Sequence, residues 1–200
     1  LFYEPVSGLN FDSAVVWMKD PAFAENLRQS GVREVLRADP FPGYGHAATH
    51  LLRTLGLPDP PLPDLWMPES DDIIIHASSG SAKKNWPYFE ELMECLGDRA
   101  LELRERAARP PSSRGRGFRT LANLSLPEVA RHLRRCRAYV GNDSGITHLA
   151  ACVGCPTVAL FGPTDPRVWG PIGRRTRIIW KRKLADISVD EVLLALAWKT

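Results

Sequence analysis

Long apolar runs are missing from this 200-residue chain. None approaches the ~20 consecutive residues needed to cross a bilayer, and no secretory signal pattern is present. Cysteine is sparse, with four residues in all. Without a signal peptide, so few cysteines argue against a disulfide scaffold and for a reducing compartment. The net charge of +3 is mild, so nothing demands a nucleic-acid partner. No internal repeat appears. The initiator methionine is also missing before Leu1, which leads one to expect a fragment. These absences leave a soluble, cytoplasmic protein as the expectation, and its 44% hydrophobic composition is enough to bury a core.

Charge is unevenly placed. Residues 99–137 hold eleven arginines against three glutamates, and "GRRTRIIWKRK" is a second basic stretch. Each reads either as a solvated face or as a surface for phosphates or an anionic membrane.

Apolar runs alternate with helical patterns along the chain. "SAVVWM" (13–18) and "VREVL" read as strands. Between them "DPAFAENLRQSG" reads as a helix with Asp20 as N-cap, Pro21 at the first helical position and Gly31 as the stop. "HAATHLLRTLGL" (46–57) has helical spacing. Residues 1–57 thus form a partial α/β lobe. Five prolines in "PDPPLPDLWMPES" make 58–70 an extended connector, and 71–200 form a second α/β lobe. In it "DIIIHA", "AYVGN", "TVALFG" and "TRIIW" read as strands, with "FRTLANL" as a further candidate. "WPYFEELMECLG" is a helix burying Phe89, Leu92, Met93 and Leu96 on one stripe. Ser125 with Glu128, and Ser188 with Glu191, have capping-box spacing. Residues 98–117 read as a short helix ("ALELRERAARP") and a mobile loop. Alternation of this kind implies parallel sheets covered on both faces, with ligands at the carboxyl ends of the strands.

Three loops leave those ends. "HASSGSAKKNWP" offers the hydroxyls of Ser78, Ser79 and Ser81, the flexibility of Gly80 and the charges of Lys83 and Lys84. It is either a solvated turn or a phosphate cradle, though not a Walker loop, because the Gly-Lys-Ser/Thr ending is missing. "GNDSGITHLAA" sets Asp143, Ser144, Gly145 and His148 at a helix start. Capping accounts for Asp143 or Ser144 but not for both, so the grouping favours an anion site at the helix N-terminus. "FGPTDPRVWGP" adds Thr164 as a secondary candidate, and Asp165 reads as a cap. Cys152 and Cys155, with His148, make a conceivable zinc or redox set. Small-hydrophobe packing is the better reading of the pair.

The stretch "VGNDSGITHLAACVGCPTVALFGPTDPRVWGP" resembles the signature of glycosyltransferase family 9, the ADP-heptose:lipopolysaccharide heptosyltransferases. "HASSGSAKKNWP" resembles a second marker of that family. "LANLSLPEVARHL" resembles a third, departing from it at Asn123 and Leu124. The resemblance implies an α/β GT-B architecture of two Rossmann-like lobes, with the N-terminal lobe incomplete in this chain. It implies inverting, metal-independent heptose transfer from ADP-heptose to a lipopolysaccharide or lipid A-core acceptor, with no cofactor. Transfer would occur at the inner face of the cytoplasmic membrane, with peripheral membrane contact.

By the same resemblance Ser78 and Ser79 match donor phosphate contacts, with Gly80 beside them. Lys84 matches a lysine facing the diphosphate or sugar. Asp143 matches an acid that binds heptose hydroxyls, and Ser144, Gly145 and His148 match groups gathering the diphosphate. The family's general base belongs to a first-lobe segment not found in these residues. An apolar strand and Gly-Gly/Ala-Pro-x-Glu loop expected after the Trp-Pro helix are also not legible, because "GDRALELRERAARPP" reads from helix to helix. Two rival readings stand beside this one: a GT-B transferase using another nucleotide-sugar, and a non-catalytic nucleotide-sugar-binding protein.

Overall fold

The computed structural model describes residues 4–5, 7–104 and 117–197. It contains two compact units, Leu1–Pro60 and Pro61–Thr200. In the first, β1 (Ser13–Val16) and β2 (Glu34–Arg37) pair in parallel, with Ser13 opposite Glu34 and Val16 opposite Arg37. Between them runs α1 (Ala22–Gln29). It starts one residue later than expected, with Pro21 at the N-cap, while Asp20 Oδ1 accepts from the Ala22 N–H at 2.9 Å. Val16, Ala24, Leu27 and Val32 form the small core. The helix α2 (Ala47–Thr54) begins where His46 Nδ1 accepts from the Ala48 N–H.

In the second unit residues 61–70, the later part of the proline-rich segment, lie as a strap against the domain. The Leu65 N–H donates to the Val153 carbonyl, the Met67 N–H to the Arg134 carbonyl, and Trp66 Nε1 to the Cys136 carbonyl. Arg175 grips Asp64 with both terminal nitrogens, at 2.6 and 3.1 Å, and lies over the Trp66 ring. That pairing holds the Asp64 carboxyl below its ordinary range.

The remaining elements form a doubly wound domain. In chain order they are β3 (Ile73–His76), α3 (Phe89–Leu96), β4 (Ala100–Arg104), β5 (Arg119–Ala122), α4 (Leu126–Arg135), β6 (Ala138–Asn142), α5 (Gly145–Cys152), β7 (Thr157–Phe161), α6 (Pro166–Trp169), β8 (Thr176–Trp180) and α7 (Val189–Leu196). The six strands are all parallel, in the order β5-β4-β3-β6-β7-β8. The chain winds outward from β3 to β5 and then returns to lay β6, β7 and β8 on the other side. The direction of winding therefore reverses between β3 and β6, and the carboxyl ends of these two strands flank the crevice where such sheets bind ligands.

Side chains from alternate strand positions feed two cores. One face packs Ile73, Ile75, Val140, Val158 and Leu160 against α3 and α7. The stripe Phe89, Leu92, Met93 and Leu96 is buried there as its spacing requires. The other face packs Ile74, Leu101, Leu103 and Tyr139 against α4 and α5. Both capping boxes form, Ser125 with Glu128 and Ser188 with Glu191.

An expectation about the elements fails here. Residues 100–104 are not helical; they form β4, inserted between β3 and β5. Ala, Leu, Glu and Arg all favour helix intrinsically, but the sheet slot overrides that preference. Leu101 and Leu103 point into one core, while Glu102 and Arg104 share the other face and form an ion pair at 2.5 Å. The strand thought missing after the Trp-Pro helix is therefore present. The expected loop falls on 105–116, outside the described residues.

Candidate active site

The fully buried Asn142 ends β6 and joins two of the three loops. Its Nδ2 donates to the Ala77 carbonyl at 2.8 Å, and its Oδ1 accepts from the Trp86 N–H at 2.9 Å. Both ends of the 77–86 loop are thereby tied to β6. Trp86 is locked in turn by its indole N–H, which donates to the Ile187 carbonyl. A short 3-10 turn over Ala82–Lys84 then projects Lys84 across the crevice.

Ser144 is the N-cap of α5, with Oγ accepting from the Thr147 N–H. Asp143 is thereby released from capping. Its Oδ2 accepts from Lys84 Nζ at 2.7 Å and from Thr164 Oγ1 at 2.7 Å. One carboxylate oxygen thus joins all three loops. The Asp143 side chain is 10% exposed and that of Lys84 32%, so the pair borders the solvent without being washed by it. The secondary candidate Thr164 proves to be a direct partner of Asp143. Asp165, as expected, caps the short α6 through the Arg167 N–H.

The other candidates fall into place around this pair. Gly145 opens α5 and is exposed, and a Cβ built there would meet nothing within 4 Å. Protein packing therefore does not require its lack of a side chain. His148 lies one turn further along and is exposed. Ser79 is occupied within its own loop, donating to the Ser81 carbonyl or the Asn85 Oδ1. Gly80 is exposed at the loop tip.

His76 has a place in the site that sequence reasoning missed. It ends β3 and is 1% exposed. Nε2 lies 2.9 Å from Ser78 Oγ, and Nδ1 lies 3.4 Å from Ser144 Oγ. Ser144 Oγ continues at 3.2 Å to Thr147 Oγ1, which lies 3.0 Å from the Tyr139 hydroxyl. Burial pushes the Tyr139 phenol well above its ordinary range. A polar residue closing an otherwise apolar strand, as in "IIIH" and "VGN", was the available signal. Gly141 belongs to the same arrangement, since a Cβ there would overlap the Tyr139 hydroxyl.

Beside the crevice lies a cavity of about 420 Å³, lined by His76, Leu103, Arg104, Asn123, Leu124 and Ile146 among others. Asn123 has φ +58°, a left-handed conformation that Asn tolerates better than most residues. It lies in the segment where the sequence departs from the family pattern.

The cysteines separate. Cys152 is exposed, contrary to the packing expected of it, while Cys155 is buried 3.6 Å from Cys136 Sγ. Burial and the neighbouring thiol push the Cys155 thiol well above its ordinary range, the opposite of a reactive cysteine. Among the described residues no three His, Cys, Asp or Glu side chains are disposed to hold a metal ion. No described helix is long and apolar enough to cross a membrane.

Residues 70–193 match the family described as glycosyltransferase family 9 (heptosyltransferase). Lipopolysaccharide heptosyltransferase 1 of Pseudomonas aeruginosa is 38% identical over 102 residues, covering 46% of this chain and 28% of that protein. The chain thus spans less than a third of that relative's length. Among solved structures, Escherichia coli ADP-heptose lps heptosyltransferase II aligns with a TM-score of 0.72 at 22% identity, covering 92% of this chain and 75% of that one. E. coli heptosyltransferase WaaC with ADP aligns with a TM-score of 0.70 at 18% identity, covering 93% and 72%. These likenesses establish the GT-B fold.

Proposed function

Because this chain belongs to glycosyltransferase family 9, we propose that it carries the donor-binding part of a heptosyltransferase acting from ADP-heptose on the lipopolysaccharide inner core at the inner face of the cytoplasmic membrane. The observation that carries this reading is the convergence of Lys84, Thr164 and Asp143 at the β3/β6 switch point, beside the N-terminus of α5. A relative and a solved structure bearing heptosyltransferase names support the choice of donor and acceptor.

Each group has a chemical task in this reading. The first amides of α5 and the Ser78 hydroxyl take the diphosphate, with Ser144 holding the start of that helix, where the helix dipole favours negative charge. Lys84 adds a full positive charge at the same end. Asp143, held by Lys84 and Thr164, accepts hydrogen bonds from sugar hydroxyls. The nucleoside occupies the cavity bordered by Leu103, Asn123 and Ile146.

In the transfer step the acceptor oxygen bonds to the anomeric carbon as the bond from that carbon to the ADP oxygen breaks. Attack from the opposite face inverts the centre. The electron pair leaves with ADP, and the acceptor proton passes to a general base, which none of the residues above is assigned to be. Lys84 and the helix end stabilise the charge developing on ADP. These fixed donors supply the electrostatic task without a metal ion.

Calorimetry with ADP, UDP and GDP tests the donor class, and Asp143→Ala tests the site. The reading expects ADP to bind most tightly and turnover of ADP-heptose to fail in the variant. Equal binding of all three nucleotides, or an unaffected Asp143→Ala, would sink it.

A further inference from the structure

His76 stands behind the site without being part of the contact set just described. It is fully buried, yet its two ring nitrogens reach the hydroxyls of Ser78 and Ser144, one from each of the loops that receive the diphosphate. Counting protons along this chain restricts what those hydroxyls do. Thr147 Oγ1 donates to the Asn142 carbonyl at 2.5 Å, so its only proton is spent. The Tyr139 hydroxyl, 3.0 Å away, must therefore donate to Thr147. Ser144 Oγ accepts from the Thr147 N–H and has one proton of its own to place.

A neutral imidazole carries one N–H and one lone pair. If Nδ1 holds the proton, it donates to Ser144, and Ser78 must spend its O–H on Nε2. If Nε2 holds it, Ser78 receives that proton, and Ser144 is free to place its own on Nδ1 in preference to Thr147 Oγ1, the other acceptor within its reach. In the second arrangement the Ser78 O–H is left to point away from the protein. A diphosphate only accepts hydrogen bonds. It is best met by the arrangement in which the loop offers a hydroxyl donor while α5 offers its backbone amides.

We infer that His76 is a positioning residue for the donor: its Nε2–H tautomer fixes Ser78 as a hydrogen-bond donor to the diphosphate and Ser144 as a committed cap. This rests on the donor reading above. His76 also borders the cavity assigned to the nucleoside, but in this scheme its effect on the diphosphate runs through the two serines.

Calorimetric titration with ADP of the unaltered chain, His76→Ala, His76→Gln, His76→Asn, Ser78→Ala and the His76→Ala/Ser78→Ala pair tests it, with circular dichroism to confirm folding. His76→Ala is expected to weaken ADP roughly tenfold, and to cost almost nothing further once Ser78 is already Ala. Gln, whose amide N–H reaches toward the Nε2 position, is expected to restore most of the affinity, and Asn much less. Imidazole nitrogen resonances of the ADP complex, assigned by their loss in His76→Gln, should show protonated Nε2 and unprotonated Nδ1.

An Nδ1–H tautomer in the complex overturns the inference, as does a His76→Ala effect that is undiminished in the Ser78→Ala background. If the unaltered chain does not bind ADP, the donor reading itself fails, and this inference goes with it. If ADP binds and His76→Ala leaves the affinity unchanged, only this inference fails.

Discussion

Lys84 Nζ lies 2.7 Å from Asp143 Oδ2, across 59 residues of sequence and between the ends of two adjacent parallel strands. The 77–86 loop reaches β6 by being tied to Asn142 at both ends. Asp143 is available because Ser144 takes over the capping. The pair is therefore a consequence of loop anchoring and not of local sequence.

Removing either partner should affect turnover more than stability. Lys84→Ala and Asp143→Asn are each expected to lower kcat for ADP-heptose by about 10²–10³. The melting temperature should move little, because a partly exposed pair contributes only about 0–1 kcal/mol. Steady-state kinetics beside thermal melts check both parts. A melting temperature that collapses with unchanged kcat would make the pair structural.

Ser144 and Ser188 cap two eight-residue helices in the same way, yet only Ser144 is placed at the crevice. Alanine at either position should cost about 1 kcal/mol of stability. Only Ser144→Ala should also weaken ADP binding. Denaturation and calorimetry on both variants separate plain capping from the further role of Ser144 beside His76.

Asn142→Ala should be the costliest single change at the site. It leaves the Trp86 N–H and the Ala77 carbonyl without their buried partner, a loss of about 1–3 kcal/mol for each unsatisfied group. Chemical denaturation measures this, and the 77–86 loop should become more open to proteolysis.

Alkaline stability should report on Tyr139, which is fully buried and held protonated by burial. Unfolded tyrosine ionises from about pH 10, while the folded phenol keeps its proton. The folded state therefore binds more protons, and stability falls as pH rises above about 10, by about 1.4 kcal/mol per pH unit. Below that pH the contribution is flat. Tyr139→Phe should lose its hydrogen bond to Thr147 at all pH values and show a shallower fall. Urea denaturation from pH 8 to 11 provides the comparison.

Much of the second unit was legible because its signals are local. The capping boxes at Ser125 and Ser188, the buried stripe of α3 and the apolar strands β3, β6 and β7 each depend on neighbours a few residues away. The strand β4 was not legible. Its five residues favour helix by themselves and become a strand only because β3 and β5 leave a slot between them. The exposure of Cys152 was misread for a related reason, since the apolar stretch around it does not reveal which side of α5 faces out.

The candidate site divides along the same line. Sequence alone brought Asp143, Ser144, Gly145 and His148 to one helix start and Ser78 and Lys84 to one loop, because chain connectivity enforces those groupings. It could not say which of Asp143 and Ser144 caps the helix, since both side chains suit the task. Only the tertiary structure decided that Ser144 caps while Asp143 turns to Lys84 and Thr164. It also decided that His76, at the end of an apolar strand, stands between the two serines. Those relations depend on strand order and on the reversal between β3 and β6, which no short stretch of residues encodes.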